Sequence, residues 1–131
     1  MKKLAPSIGS RVLIVDDNRD TADTTAMLLR MHGYDVAVAY DGRSALLKAK
    51  GYDPDVVLLD LSLPDIDGCA VAESMRKDGL DRAALIAVSG HGPDDEAWAH
   101  PCFSDHLVKP VAKDDLVSLL ARVRPEKSCP S

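Results

Sequence analysis

Five side chains in this sequence can do chemistry together: Asp16 and Asp17, then Asp60, Ser89 and Lys109. Each comes at the end of a short aliphatic or β-branched run, Val12-Leu13-Ile14-Val15, Asp55–Leu59, Ala84–Val88 and His106-Leu107-Val108. Three carboxylates brought within a few ångströms repel one another, so either some stay protonated or a cation sits among them. A donor set made of oxygen alone points to Mg²⁺ rather than to a softer metal. A carboxylate beside such a cation can act as a nucleophile toward phosphorus, because the metal and a lysine neutralise charge on the transferring group. Lys109 would be that lysine.

For those residues to meet, the runs must be neighbouring strands. Val12–Val15 reads as a strand, and Ala22, Ala26 and Leu29 mark one face of the helix after it, which Gly33 stops. Val36 and Val38 alternate as a second strand, and Asp41-Gly42 turns the chain into a helix over Ser44–Lys50. The near-continuous apolar run Asp55–Leu59 fits a strand buried on both faces, and Pro64 to Gly68 leads into a third helix through Arg76. Ala84–Val88 is a fourth strand. After it, Gly92-Pro93-Asp94-Asp95-Glu96 has the proline and acids of a helix start, and Pro101 holds that helix to about two turns. His106–Val108 makes a fifth strand, and Leu116, Leu119, Leu120 and Val123 form the face of a last helix beginning near Ala112. Five strands alternating with five helices require right-handed crossovers and hence a doubly wound α/β domain with a parallel sheet. Such folds bind ligands outside the carboxyl ends of their strands, where the five reactive side chains lie.

The chain has 131 residues, enough for one compact domain, with an ordinary apolar share for a globular protein and a net charge of −5. That charge, with no Lys/Arg-rich helix, argues against direct nucleic-acid binding. No run approaches the roughly 20 apolar residues of a membrane span, and the opening residues lack a signal-peptide core, so a cytoplasmic location is expected. Cys69, Cys102 and Cys129 are too few and too scattered for a disulfide framework or a zinc site. Residues 1–10 and 125–131 read as flexible tails.

Four blocks resemble, in order, the signatures of response-regulator receiver domains: Val15-Asp16-Asp17-Asn18, Leu58 through Gly68, Ala87-Val88-Ser89-Gly90 and Leu107-Val108-Lys109-Pro110. Each is weak alone, but four in order at predicted strand ends are specific. The resemblance covers residues 11–124 and implies a flavodoxin-like fold in two-component phosphorelay signalling. It implies that Asp60 accepts phosphate from the phosphohistidine of a histidine kinase or a histidine phosphotransfer protein. Asp17, Asp60 and the Ser62 carbonyl would ligate Mg²⁺, with Asp16 acting through metal-bound water. Ser89 and Lys109 would each contact a phosphoryl oxygen, and the Lys109-Pro110 bond would be cis. Ser89 and His106 would form the switch, the latter at a place more often aromatic. By the same resemblance the chain catalyses only its own phosphorylation and dephosphorylation, is a monomer or weak dimer, and is either a single-domain regulator or part of a hybrid kinase.

Plainer roles compete for the same residues. Asp16-Asp17 alone would serve as a helix cap, Ser89 before Gly90 as a turn serine, and Lys109 as a solvated lysine. Asp65 and Asp67 are assigned to the turn and helix start rather than to the metal, His32, His91 and His100 to surface or boundary positions, Trp98 to packing, and Cys69 to the core side of the third helix. The segment between Ser89 and Lys109 is slightly short for the family. A receiver fold that binds partners without phosphorylation is the alternative function. A phosphohydrolase with an aspartyl nucleophile would carry a second Asp where Ser62 stands.

Overall fold

The computed structural model describes residues 11–63, 65–79, 83–90, 103–109 and 111–122, the side chains of 121 and 122 excepted. The elements are β1 (Arg11–Val15), α1 (Arg19–Met31), β2 (Asp35–Ala39), α2 (Gly42–Tyr52), β3 (Val56–Asp60), α3 (Gly68–Lys77), β4 (Ala84–Ser89), β5 (Asp105–Val108) and α4 (Lys113–Arg122). The strands form one parallel sheet in the order β2-β1-β3-β4-β5. From β1 the chain first winds outward to β2 and then returns to lay β3 on the other side of β1. The order therefore reverses between β1 and β3, which puts the ligand-binding crevice of a doubly wound sheet between Asp16 and Asp60.

The two-residue alternation of the strands divides the core into two layers. Val12, Ile14, Val56, Leu58 and Ile86 face α1 and α4, meeting Ala22, Ala26 and Leu29 from one and Leu116, Leu119 and Leu120 from the other. Leu13, Val15, Val57, Leu59 and Leu85 face α2 and α3, against Ala45, Ala49, Val71, Ala72 and Met75. All residues of β3 and β4 are buried, as strands covered on both faces must be.

Several boundaries move from their sequence-derived places. Asp60 and Ser89 are the last residues of β3 and β4 rather than the first beyond them. Asp55 precedes β3, its carboxylate accepting from the backbone N–H of Arg11 at 3.0 Å. Helix α2 starts at Gly42, because Asp41 caps it by accepting from Ser44 N, and it ends on Asp53 in the left-handed region (φ 54°). Cys69 is half-buried on the flank of α3, since the buried stripe takes Gly68, Val71, Ala72 and Met75. His32 is exposed at the carboxyl end of α1. Four helices occur among the described residues; the helix expected between β4 and β5 lies outside them, as do the tails, His91, Trp98, His100, Pro110, Cys102 and Cys129. No helix among the described residues is long and apolar enough to cross a membrane.

At the β2 edge, Ala39 O accepts from Asp16 N, so the carbonyls of Asp35 and Ala37 also turn toward β1 and those of Val36 and Val38 turn outward. Arg30, in the last turn of α1, donates from Nη2 to Val36 O at 2.9 Å.

Candidate functional site at the carboxyl edge of the sheet

Among the described residues three polar side chains are buried, Asp16, Asp60 and Ser89; Asp60 and Ser89 end β3 and β4, and Asp16 directly follows β1 at the same edge. Buried polar groups cost free energy unless they are partnered, so their clustering marks where the fold retains polarity in its interior. Asp17, exposed, completes the group: Asp16, Asp17 and Asp60 each offer a carboxylate oxygen, and these atoms lie within 4.8 Å of one another.

Local structure aims each carboxylate. Asp16 Oδ1 accepts from Asn18 N at 2.9 Å, while Asn18 Oδ1 accepts from Thr21 N at 3.1 Å and caps α1. The cap that composition alone would assign to the acids is thus made by Asn18, which leaves Asp17 facing the site. Asp60 Oδ1 accepts from Ser62 N at 2.9 Å, and Leu61 N donates to Val88 O at 3.0 Å, carrying the β3–β4 pairing one step past Asp60. Lys109 N donates to Ser89 O at 2.8 Å, which brings the lysine over the end of β4. Its ammonium then donates to Asp60 Oδ2 at 2.8 Å and lies 3.4 Å from Asp16 Oδ2.

One ammonium among three carboxylates leaves the site negative. Burial pushes the Asp16 carboxyl above its ordinary range; the Asn18 N–H and the Lys109 charge oppose that rise and Asp60 adds to it. For Lys109, burial works against the charged form, but Asp60 and Asp16 together outweigh it and hold the ammonium above its ordinary value. A small hard cation fits this oxygen-only, under-neutralised cluster, which makes it a candidate metal site. Ser62 is exposed on the loop that follows β3, and His106 is half-buried in β5, paired in register with Ala87.

Two residues of the β3–α3 connection fix its path. A Cβ on Gly68 would come within 2.7 Å of Leu61 Cα and 3.1 Å of Asp60 O, so only glycine lets the first turn of α3 rest on the backbone beside Asp60. Asp65 does not serve its own turn and helix start alone. Its Oδ1 accepts from Gly42 N at 2.8 Å and Ile66 N at 3.0 Å, and its Oδ2 accepts from Arg43 N at 3.1 Å. It therefore caps α2, while Asp67, at the N-cap position of α3, makes no capping bond with its side chain. Sequence reasoning missed this bridge because nothing local to Gly42 signals a cap supplied 23 residues later.

The chain matches the family described as response regulator receiver domain over residues 12–121. It is 36% identical over 115 residues to the transcriptional regulatory protein PrrA of Mycobacterium tuberculosis, covering 87% of this chain and 48% of PrrA. The chain thus spans about half the length of that relative. Among solved structures it is similar to the chemotaxis response regulator CheY4 of Vibrio cholerae, with TM-score 0.81, 27% identity, and coverage of 86% of this chain and 97% of that one. The response regulator TrrA of Thermotoga maritima, solved in complex with Mg²⁺-BeF, matches with TM-score 0.77 at 27% identity, covering 86% and 97%.

Proposed function

The chain belongs to the response regulator receiver domain family, and on that premise we propose that it is a phosphoacceptor, taking a phosphoryl group on Asp60 from the phosphohistidine of a histidine kinase or a histidine phosphotransfer protein. The observation that carries this reading is the 2.8 Å contact of Lys109 with an Asp60 carboxylate that is 2% exposed, beside two further acids.

An Asp60 oxygen attacks phosphorus as the P–N bond of the phosphohistidine breaks, and the electron pair of that bond returns to the imidazole nitrogen. Lys109, already against Asp60, pairs with a phosphoryl oxygen as charge gathers there, and the Ser89 hydroxyl donates to another. Asp16, Asp17, Asp60 and the Ser62 carbonyl would hold Mg²⁺, which when bound neutralises charge on the transferring group. Beside the acids a cavity of about 670 Å³ opens between α1 and α4 over Ile14, Leu58 and Val88, next to which a donor protein can seat. In the phosphorylated state Ser89 moves toward the phosphoryl group and His106 shifts into the space released, changing the surface that a downstream protein reads. The only catalysis in this reading is the chain's own phosphorylation and dephosphorylation, in the cytoplasm.

The test is incubation with Mg²⁺ and acetyl phosphate followed by intact-mass measurement. One added phosphoryl group, stable to acid and labile to base, is expected on the parent and none on Asp60→Asn. Equal labelling of that variant would remove Asp60 as the nucleophile.

A further inference from the structure

We propose that Asp65 is a positioning residue for the cation site: by fastening the β3–α3 loop to the first turn of α2, it holds the Ser62 backbone in place to serve the metal. This inference rests on the functional reading above and adds to it a residue that touches neither metal nor phosphate.

Between Asp60 and Gly68 the chain leaves the sheet, presents Ser62 at the edge and enters α3. Both ends are fixed, one by the Leu61 N to Val88 O bond and by the Ser62 N–H, which donates to Asp60 Oδ1 at 2.9 Å, and the other by the seat of Gly68 on Leu61. The middle needs its own anchor, and Asp65 supplies one with two bonds reaching α2. The first backbone N–H groups of a helix have no partner within it. In α2 they are divided between two carboxylates: Asp41 Oδ1 takes Ser44 N at 2.7 Å, and Asp65 takes those of Gly42 and Arg43. A negative charge at this end also meets the positive pole of the helix.

The anchor point is itself rigid. Helix α2 is set into the core by Ala45 and Ala49, and a Cβ on Gly42 would press to 3.0 Å from both Ile66 Cβ and Val71 Cγ2. Loop, α2 and α3 thus interlock at one spot five residues from Asp60. A loop held before the cation arrives is ordered during folding, so the cost of ordering it does not fall on cation binding. Residues that only orient ligands commonly change metal affinity by about 10–100-fold when removed.

The experiment measures Mg²⁺ affinity by calorimetry, melting in EDTA and amide exchange across residues 61–67 for the parent, Asp65→Ala, Asp65→Asn and Asp67→Asn. Asp65→Ala is expected to raise the Mg²⁺ dissociation constant about tenfold and to speed exchange in the loop. Asp65→Asn, keeping one acceptor oxygen, should fall between it and the parent. Asp67→Asn removes an equal charge nearby that caps nothing, so it should bind as the parent does. A lower melting temperature with unchanged Mg²⁺ affinity would make Asp65 merely structural. Equal losses in Asp65→Asn and Asp67→Asn would make the effect one of charge, and either result overturns the proposal. Should Asp65→Ala fail to fold, the two Asn variants decide alone. A parent that takes neither Mg²⁺ nor phosphate would overturn the functional reading as well, whereas failure in the variants alone would leave that reading standing.

Discussion

The Lys109 ammonium bonds Asp60 Oδ2 at 2.8 Å from the far side of β4, across 49 residues of sequence. Because the same ammonium also faces Asp16, it spans the two strand ends between which the sheet order reverses. Lys109 thus neutralises the site from one side and leaves the other, toward Asp17, for a cation.

Replacing Lys109 with Met should therefore act twice. Losing the charge leaves Asp60 buried without its ionic partner and is expected to cost roughly 1–3 kcal/mol of metal-free stability. It should also slow phosphorylation by acetyl phosphate by about 10²–10³-fold, as loss of a group stabilising transition-state charge does. Chemical denaturation and single-turnover labelling check the two effects. Labelling at the parental rate would remove Lys109 from the transfer step.

Asp17 should separate stability from function. It is the exposed member of the acid cluster, so Asp17→Ala relieves repulsion without opening a cavity. Without metal the variant should melt no lower than the parent, yet lose Mg²⁺ binding. Parental Mg²⁺ affinity would take Asp17 off the ligand set.

Asp16 gives the site a pH dependence whose sign can be worked out. Its carboxyl is raised above 3.8 by burial, first of all. A carboxyl raised on folding contributes stability below its unfolded value and loses it as pH rises through the folded one. Relative to Asp16→Asn, the metal-free parent should therefore gain stability as pH falls through the raised value toward 3.8. Mg²⁺ affinity should weaken over the same interval, because proton and cation compete for the same oxygens. Melting and Mg²⁺ titrations of both proteins across that range test it; a Mg²⁺ affinity indifferent to acid would sink the idea.

Gly68→Ala should be costly although a helix ordinarily favours alanine. The added methyl meets backbone at 2.7 Å, so the start of α3 must shift, at about 1–3 kcal/mol. Since that backbone adjoins Asp60, phosphorylation should slow as well. A variant as stable as the parent would show that α3 can move freely.

The switch is expected to couple weakly through His106, because its imidazole is smaller than the tyrosine ring it would replace and its inward shift would bury less surface. With Mg²⁺ and beryllofluoride, amide resonances near Asp17, Asp60, Ser89 and Lys109 should move strongly, and those of His106 and Leu116–Leu120 only modestly. Large concerted shifts across the second group would contradict weak coupling.

The sheet and its reactive edge were legible because they rest on short-range pattern. Fully apolar runs such as Val56–Leu59 can be satisfied only between two helical layers, and the polar residues at the ends of three such runs, Asp16, Asp60 and Ser89, must share an edge of a parallel sheet. The resemblance in four blocks named the acids and the lysine that the fold then brings together. What escaped depends on contacts between distant segments. Asp65 looked like a turn residue because its partners at Gly42 and Arg43 enter from another helix, and Asn18 was passed over because it stood beside two acids with a stronger claim to the chemistry. Cys69 was misplaced by one helical position, a shift of about 100° around the axis at 3.6 residues per turn.

The Arg30 contact on Val36 O matters when many copies of the chain meet. A terminal strand of a sheet is a template on which another polypeptide can extend the ladder, and fusion there is a common start of aggregation. Of the two carbonyls that β2 turns outward, one is already taken by a guanidinium that is itself charged. An approaching strand would have to displace that bond and bury a cation, so the contact makes the β2 edge self-limiting at high concentration.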